Sequence, residues 1–136
     1  MRTRLSRTLR ATGLAAVFLV TSVESLAHHS FSAEFDVGRP VEFTGKVVEI
    51  EWTNPHAWVH IETTDEEGNL QRWAIELVGI NALMRTGFNR RTVKIGHVLT
   101  VSGFGARNTT NTANAASVMR TETNEVLWAT PGFSPK

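Results

Sequence analysis

Nitrogen is the donor chemistry this sequence offers a metal. It holds five histidines, His28, His29, His56, His60 and His97, and no cysteine, so neither a thiolate site nor a disulfide framework is open to it. The sharpest arrangement is His28-His29-Ser30-Phe31, directly after Ser25-Leu26-Ala27. Small residues at the −3 and −1 positions are what a signal peptidase reads. Cleavage after Ala27 would start the mature chain at His28 and set a free α-amine beside its own imidazole. Such an amine–imidazole pair chelates divalent metals, copper above all on affinity grounds. His29 adds a second ring nitrogen and a backbone amide. One further imidazole from the folded domain would complete a T-shaped three-nitrogen site. His56, in the turn Thr53-Asn54-Pro55-His56, and His60, in the strand that follows, are placed to supply it, and His56 is the expected ligand. His97, just ahead of a strand, reads as a turn residue.

The free amine depends on residues 1–27 being a cleavable secretory signal. Arg2, Arg4, Arg7 and Arg10 form a basic n-region without an acid, and Ala11 to Val20 is almost wholly apolar. That run is shorter than the roughly 20 apolar residues of a spanning helix, and Glu24 follows it closely. With no twin-arginine pair, the general secretion route and a periplasmic or secreted location are expected. The whole chain has 14 Lys+Arg against 13 Asp+Glu, formally +1. Removing four arginines and Glu24 leaves 10 against 12, a net charge of about −2. A mildly acidic mature chain has no footprint for nucleic acid. Residues 28–136 are the length of a single domain, long enough for a core without staples. They contain no further apolar run able to cross a membrane, so none is expected as a partner after cleavage.

These histidines must be positioned by strands. Residues 41–52 alternate apolar and polar, with a slip of phase near Gly45–Val47 where a glycine-bearing bulge would bend the strand. Residues 57–64 and 70–77 alternate again, separated by the hairpin signal Asp65-Glu66-Glu67-Gly68-Asn69. The period then changes: Ile80, Leu83 and Met84 are at helical spacing over 79–87, and Gly87 is a stop signal. A loop carrying Arg90, Arg91 and Lys94 leads to a fourth strand, 97–104. Residues 105–116, small and polar, read as a long mobile loop, followed by strands at 117–121 and 126–128 around a Thr123-Asn124 turn. Three strands, one short helix, then further strands is the layout of a mostly β, small OB-like Greek-key barrel of about five strands. Residues 28–40 show no clear period.

Other residues carry weaker signals. Trp58, His60 and Glu62 share one face of the second strand, with Val59 and Ile61 on the other. With Trp73 on the third strand, Trp58 and His60 are candidates for a ligand face, although strand tryptophans are more often core. Glu49 and Glu51 share a face, with Glu76 on a neighbouring strand, and paired acids of this kind are common on exposed β surfaces. No Ser-His-Asp order, phosphate loop or nucleophile elbow is present, so a binding protein is favoured over an enzyme. Asn108-Thr109-Thr110 is a glycosylation sequon by pattern alone.

At several of these residues the chain resembles a family of small bacterial exported proteins of unknown function. Its members begin His-His-Ser-Phe-x-Ala-Glu-Phe-Asp after the signal, and continue through a strand ending Glu-Trp-x-Asn-Pro-His and a later Trp-x-x-Glu. The matches here are His28–Asp36, Pro40–Gly45, Glu51–His56, Trp58, Trp73–Glu76 and Leu83–Gly87, within a resemblance covering nearly all of 28–104. It implies no assigned activity, but it groups His28, His29 and His56. Two positions depart from the pattern. His60 stands where the family carries an aliphatic or aromatic residue, and His97 where it carries Asp, which argues against both as ligands. The expectation is therefore an exported β-barrel protein that binds a divalent metal, copper foremost, through His28, His29 and His56. The alternative is a metal-independent module that holds a peptide, glycan or partner protein on the barrel face.

Overall fold

The computed structural model describes residues 31–133; the signal-like segment, His28 and His29 lie outside the described residues. The chain divides into two units, Met1–Ala33 and Glu34–Lys136. Of the first, only 31–33 are described, within a helical turn over 31–34.

The second unit is built from β1 (Phe35–Glu51), β2 (Trp58–Thr64), β3 (Leu70–Glu76), α1 (Ile80–Thr86), β4 (Val98–Ala106), β5 (Thr112–Arg120) and β6 (Glu125–Ala129). The strands form one sheet in the order β3-β2-β1-β4-β5-β6, antiparallel between neighbours. A parallel β3–β5 pairing (Ala74 with Thr112, Ile75 with Ala113, Glu76 with Asn114) brings five of the strands into a barrel-like ring. β6 lies beyond it, on the far edge of β5. The mostly β, OB-like arrangement is observed, with its helix between the third and fourth strands.

The ring depends on β1 serving two partners. Its residues 46–51 pair with β2, while Phe35 and Pro40 to Lys46 pair with β4. The strand bends where the two pairings meet. Val47 is in register with Ile61 and Glu49 with His60, so Val48 is the extra residue of a bulge. Just before it, a β-carbon on Gly45 would lie 2.2 Å from Ile61 Cγ2 and 2.5 Å from the Glu62 carbonyl oxygen. Only glycine lets β2 cross that closely.

Inside, period-2 alternation puts Val59 and Ile61 of β2, Ile75 of β3, Leu99 and Val101 of β4, and Ala113 and Ala115 of β5 in one core. Leu83, Phe88 and Val93, from α1 and the loop after it, join them. Burying a side chain of the Leu or Phe size contributes about 1.5–3 kcal/mol. The helix ends at Gly87, at φ 97°, whose left-handed conformation favours glycine.

Two sequence expectations are corrected. Residues 112–116, read as part of a mobile loop, are the start of β5. They lie so close to β4 that a β-carbon on Gly103 would be 2.1 Å from the Asn114 carbonyl oxygen, which reserves position 103 for glycine. The true loop is confined to 107–111. The aperiodic lead-in likewise conceals the first part of β1, whose pairing with β4 shifts register between Phe35 and Pro40.

Candidate functional site

The loop between β1 and β2 is held at several points. The Thr53 hydroxyl donates to the His56 carbonyl at 2.8 Å. Asn54 Oδ1 accepts from the Ile80 amide at 3.3 Å, tying the loop to the start of α1. Ala57, fully buried, extends the β2–β3 ladder by accepting from the Leu77 amide at 2.8 Å. His56, one residue earlier, is thus fixed at the end of a ladder, with its side chain half exposed.

His56 Nδ1 is paired with Glu76 Oε1. Glu76 is on the outer face of β3, where an acid is normally solvated, yet it is only 4% exposed. The register explains this. Glu76 sits opposite Trp58 on β2 and opposite Asn114 on β5, at the seam where the ring closes. Burial pushes its carboxyl above the ordinary range, the His56 charge opposes that shift, and nearby Glu34 adds to it. Asn114 also favours the charged form without giving Oε2 a hydrogen bond of good geometry. Among the described residues Oε2 is a buried oxygen with no hydrogen-bond partner, an unusual state for a carboxylate. A carboxylate on Nδ1 fixes the histidine as its Nδ1–H tautomer and leaves the Nε2 lone pair available. That is the arrangement by which metal-binding histidines are oriented and made more basic.

The other candidates divide between the two faces of the sheet. Trp58 and His60 share the outer face with Glu49 and Glu51, and His60 Nε2 lies 2.6 Å from Glu51 Oε1. Glu49, Glu51 and His60 offer ligand atoms within 4.8 Å of one another. Both carboxylates are exposed, and the Arg72 guanidinium already pairs with Glu49. Trp73 does not belong to this surface. It is in register with Ile61, so the period of 2 turns it inward, where its ring packs 4.7 Å from that of Phe43. The expected ligand face of Trp58, His60 and Trp73 is therefore reduced to its first two members. His97 accepts at Nδ1 from the Lys94 amide at 3.3 Å, beside an Arg120 guanidinium nitrogen at 3.2 Å, and is a turn residue.

Glu76 is the site residue that the sequence reading underrated, as one surface acid among three. Its signal was the Trp-x-x-Glu motif of the resemblance, in which the acid follows an inward tryptophan by three residues and so falls on the opposite face of the strand. Fold and site together define a small OB-like β protein with a carboxylate–histidine pair beside the seam of its ring. Residues 16–117 match the model of a family of unknown function (DUF6152), and the chain belongs to that family. No curated protein matches it.

Proposed function

We propose that this is an exported protein that binds one divalent metal ion, copper foremost, through His28, His29 and His56. The observation that supports this reading is the His56–Glu76 pair: a half-exposed imidazole with one nitrogen held by a buried carboxylate and the other left for a ligand. The sequence offers the remaining donors, the His28 amine and imidazole and the His29 ring, once a signal is removed after Ala27. Glu34 and Glu76 add negative charge that favours a cation.

The test is calorimetric titration of Cu(II) into three proteins. The first is exported with its own signal and shown by mass to begin at His28; the second carries an added N-terminal methionine; the third is the processed His56→Ala variant. We expect one ion per processed chain. Binding should be weaker with the added methionine, which separates the amine from the His28 ring, and weaker in His56→Ala. It should also weaken as the solution is made acidic, because protons compete with the metal for the imidazole nitrogens. Equal affinity in all three would remove the metal reading and leave a partner-binding surface on the outer face, around Trp58 and His60.

A further inference from the structure

A cavity of about 430 Å³ opens between the end of β1, α1 and the loop that follows the helix; it is lined by Trp52, Ile80, Met84, Asn89, Arg90 and Arg91. Its floor is apolar. Ile80 and Met84 are four residues apart and share a helix face, and Met84 is 59% exposed, unusual for a large apolar side chain on so small a helix. The Arg90 guanidinium lies over the Trp52 indole, 5.2 Å from the ring centroid, in cation–π geometry.

The charge in this cavity is unanswered. Arg72, Arg107 and Arg120 each pair with a carboxylate, whereas among the described residues neither Arg90 nor Arg91 does. The loop that carries them is nonetheless anchored at several points. Phe88 and Val93 bury its two ends, and the Phe88 ring packs against Trp52 at 5.8 Å. Asn89 Oδ1 accepts from the Arg91 amide at 2.8 Å, and Arg120 donates to the Thr92 carbonyl at 2.7 Å. Two guanidinium groups beside an apolar floor, that of Arg90 seated over Trp52, suit an anion with an apolar body, and the planar arginine fork matches a carboxylate. The volume lies at the small-molecule end of the range for ligand pockets.

We infer that this cavity binds an organic carboxylate, with the acid group on Arg90 and Arg91 and an aromatic or branched aliphatic body against Trp52, Ile80 and Met84. A free small acid and the C-terminus of a peptide ending in an apolar residue present the same chemistry. The inference does not depend on metal binding.

Calorimetry with a chelator present, so that no metal contributes, compares 2-naphthoate, its uncharged amide 2-naphthamide, and a short peptide ending in a free leucine carboxylate. The four tryptophan indole N–H resonances report the location, with that of Trp52 assigned through Trp52→Phe. We expect 2-naphthoate or the peptide to bind and to move the Trp52 resonance. The amide should bind at least about tenfold more weakly, the effect of losing a charge-assisted hydrogen bond. Arg91→Gln should weaken binding by a similar factor, and Met84→Glu, which sets a like charge in the cavity, should abolish it. Arg91 and Met84 are both exposed, so an unchanged melting temperature separates these losses from misfolding. Tighter binding of the peptide assigns the carboxylate to a chain end, and tighter binding of 2-naphthoate to a free acid; either result supports the site. Equal affinity for acid and amide, indifference to Arg91→Gln, movement of other tryptophans in place of Trp52, or no binding by any probe at millimolar concentration overturns it.

Discussion

At the scale of single residues, Glu76 carries the tension in this molecule. A buried carboxyl whose pKa is raised favours its protonated form in the folded state. Its contribution to stability is therefore greatest below its ordinary value of 4.5 and is lost as pH rises through the raised folded value. Glu76→Gln removes that charge and keeps an oxygen for the His56 Nδ1–H. In chelator-treated protein we expect Glu76→Gln to melt higher than the parent at pH 8 and close to it at pH 4. The gain is on the order of 1 kcal/mol, or about 4–8 °C in a domain of this size. The same variant should bind Cu(II) about 10–100-fold more weakly, because the histidine loses its charged partner. A stabilised variant with weaker metal binding would mark Glu76 as retained for function. A variant that is destabilised at pH 8 would instead make the carboxylate a structural partner of His56.

Among the elements, the β2–β3 hairpin is the most local. Asp65 Oδ1 accepts from the amides of Asn69 at 2.8 Å and Glu67 at 3.0 Å, and its Oδ2 accepts from Gln71 Nε2 at 3.0 Å. These bonds, that of the Asn69 amide foremost and then that of Gln71, hold its carboxyl below its usual 3.8. A lowered folded pKa gives stability that is present above pH 3.8 and is lost as pH falls through the folded value. Asp65→Ala should therefore lower the melting temperature at pH 7, with the deficit shrinking in scans taken at progressively lower pH below 3.8. A deficit independent of pH would assign the effect to turn geometry alone.

Across the whole molecule, two close backbone approaches, at Gly45 and Gly103, allow the sheet to close. A β-carbon on Gly103 would meet the backbone of Asn114 and Ala115 at 2.1 and 3.0 Å, and neither can move without opening the β4–β5 pairing. One on Gly105, in the same strand, would meet the flexible Arg39 side chain, at 3.0 Å from its Cδ. Gly103→Ala should cost on the order of 2–3 kcal/mol in denaturant unfolding, as overpacking does, and Gly105→Ala much less. Equal losses would mean that β4–β5 spacing does not limit closure. Asn114 also faces Glu76 across the seam, so Gly103→Ala should disturb the His56–Glu76 pair as well.

The sequence alone determined what is decided within a few residues. The alternation of Val59 and Ile61 with Trp58 and His60, the acidic Gly-Asn hairpin, the glycine stop at 87 and the turn character of His97 all follow from period and turn chemistry. The element order that follows from them is that of the ring. Tertiary structure decided the rest. Residues 112–116 read as a loop because alanine and asparagine have little strand preference; they are a strand because they pair with β4 on one side and with β3 on the other. Trp73 looked like a companion of Trp58, until register set the two on opposite faces. Glu76 looked like a surface acid, and it becomes a buried one only where β5 comes to lie beside β3. Arg90 and Arg91 were charges on a loop until the end of β1 brought Trp52 beneath Arg90 and into one cavity with both. The reason is common to all four. Periodicity sets which way a side chain faces within its own strand, but burial and pairing depend on which distant segment lies opposite, and that is known only once the ring has closed.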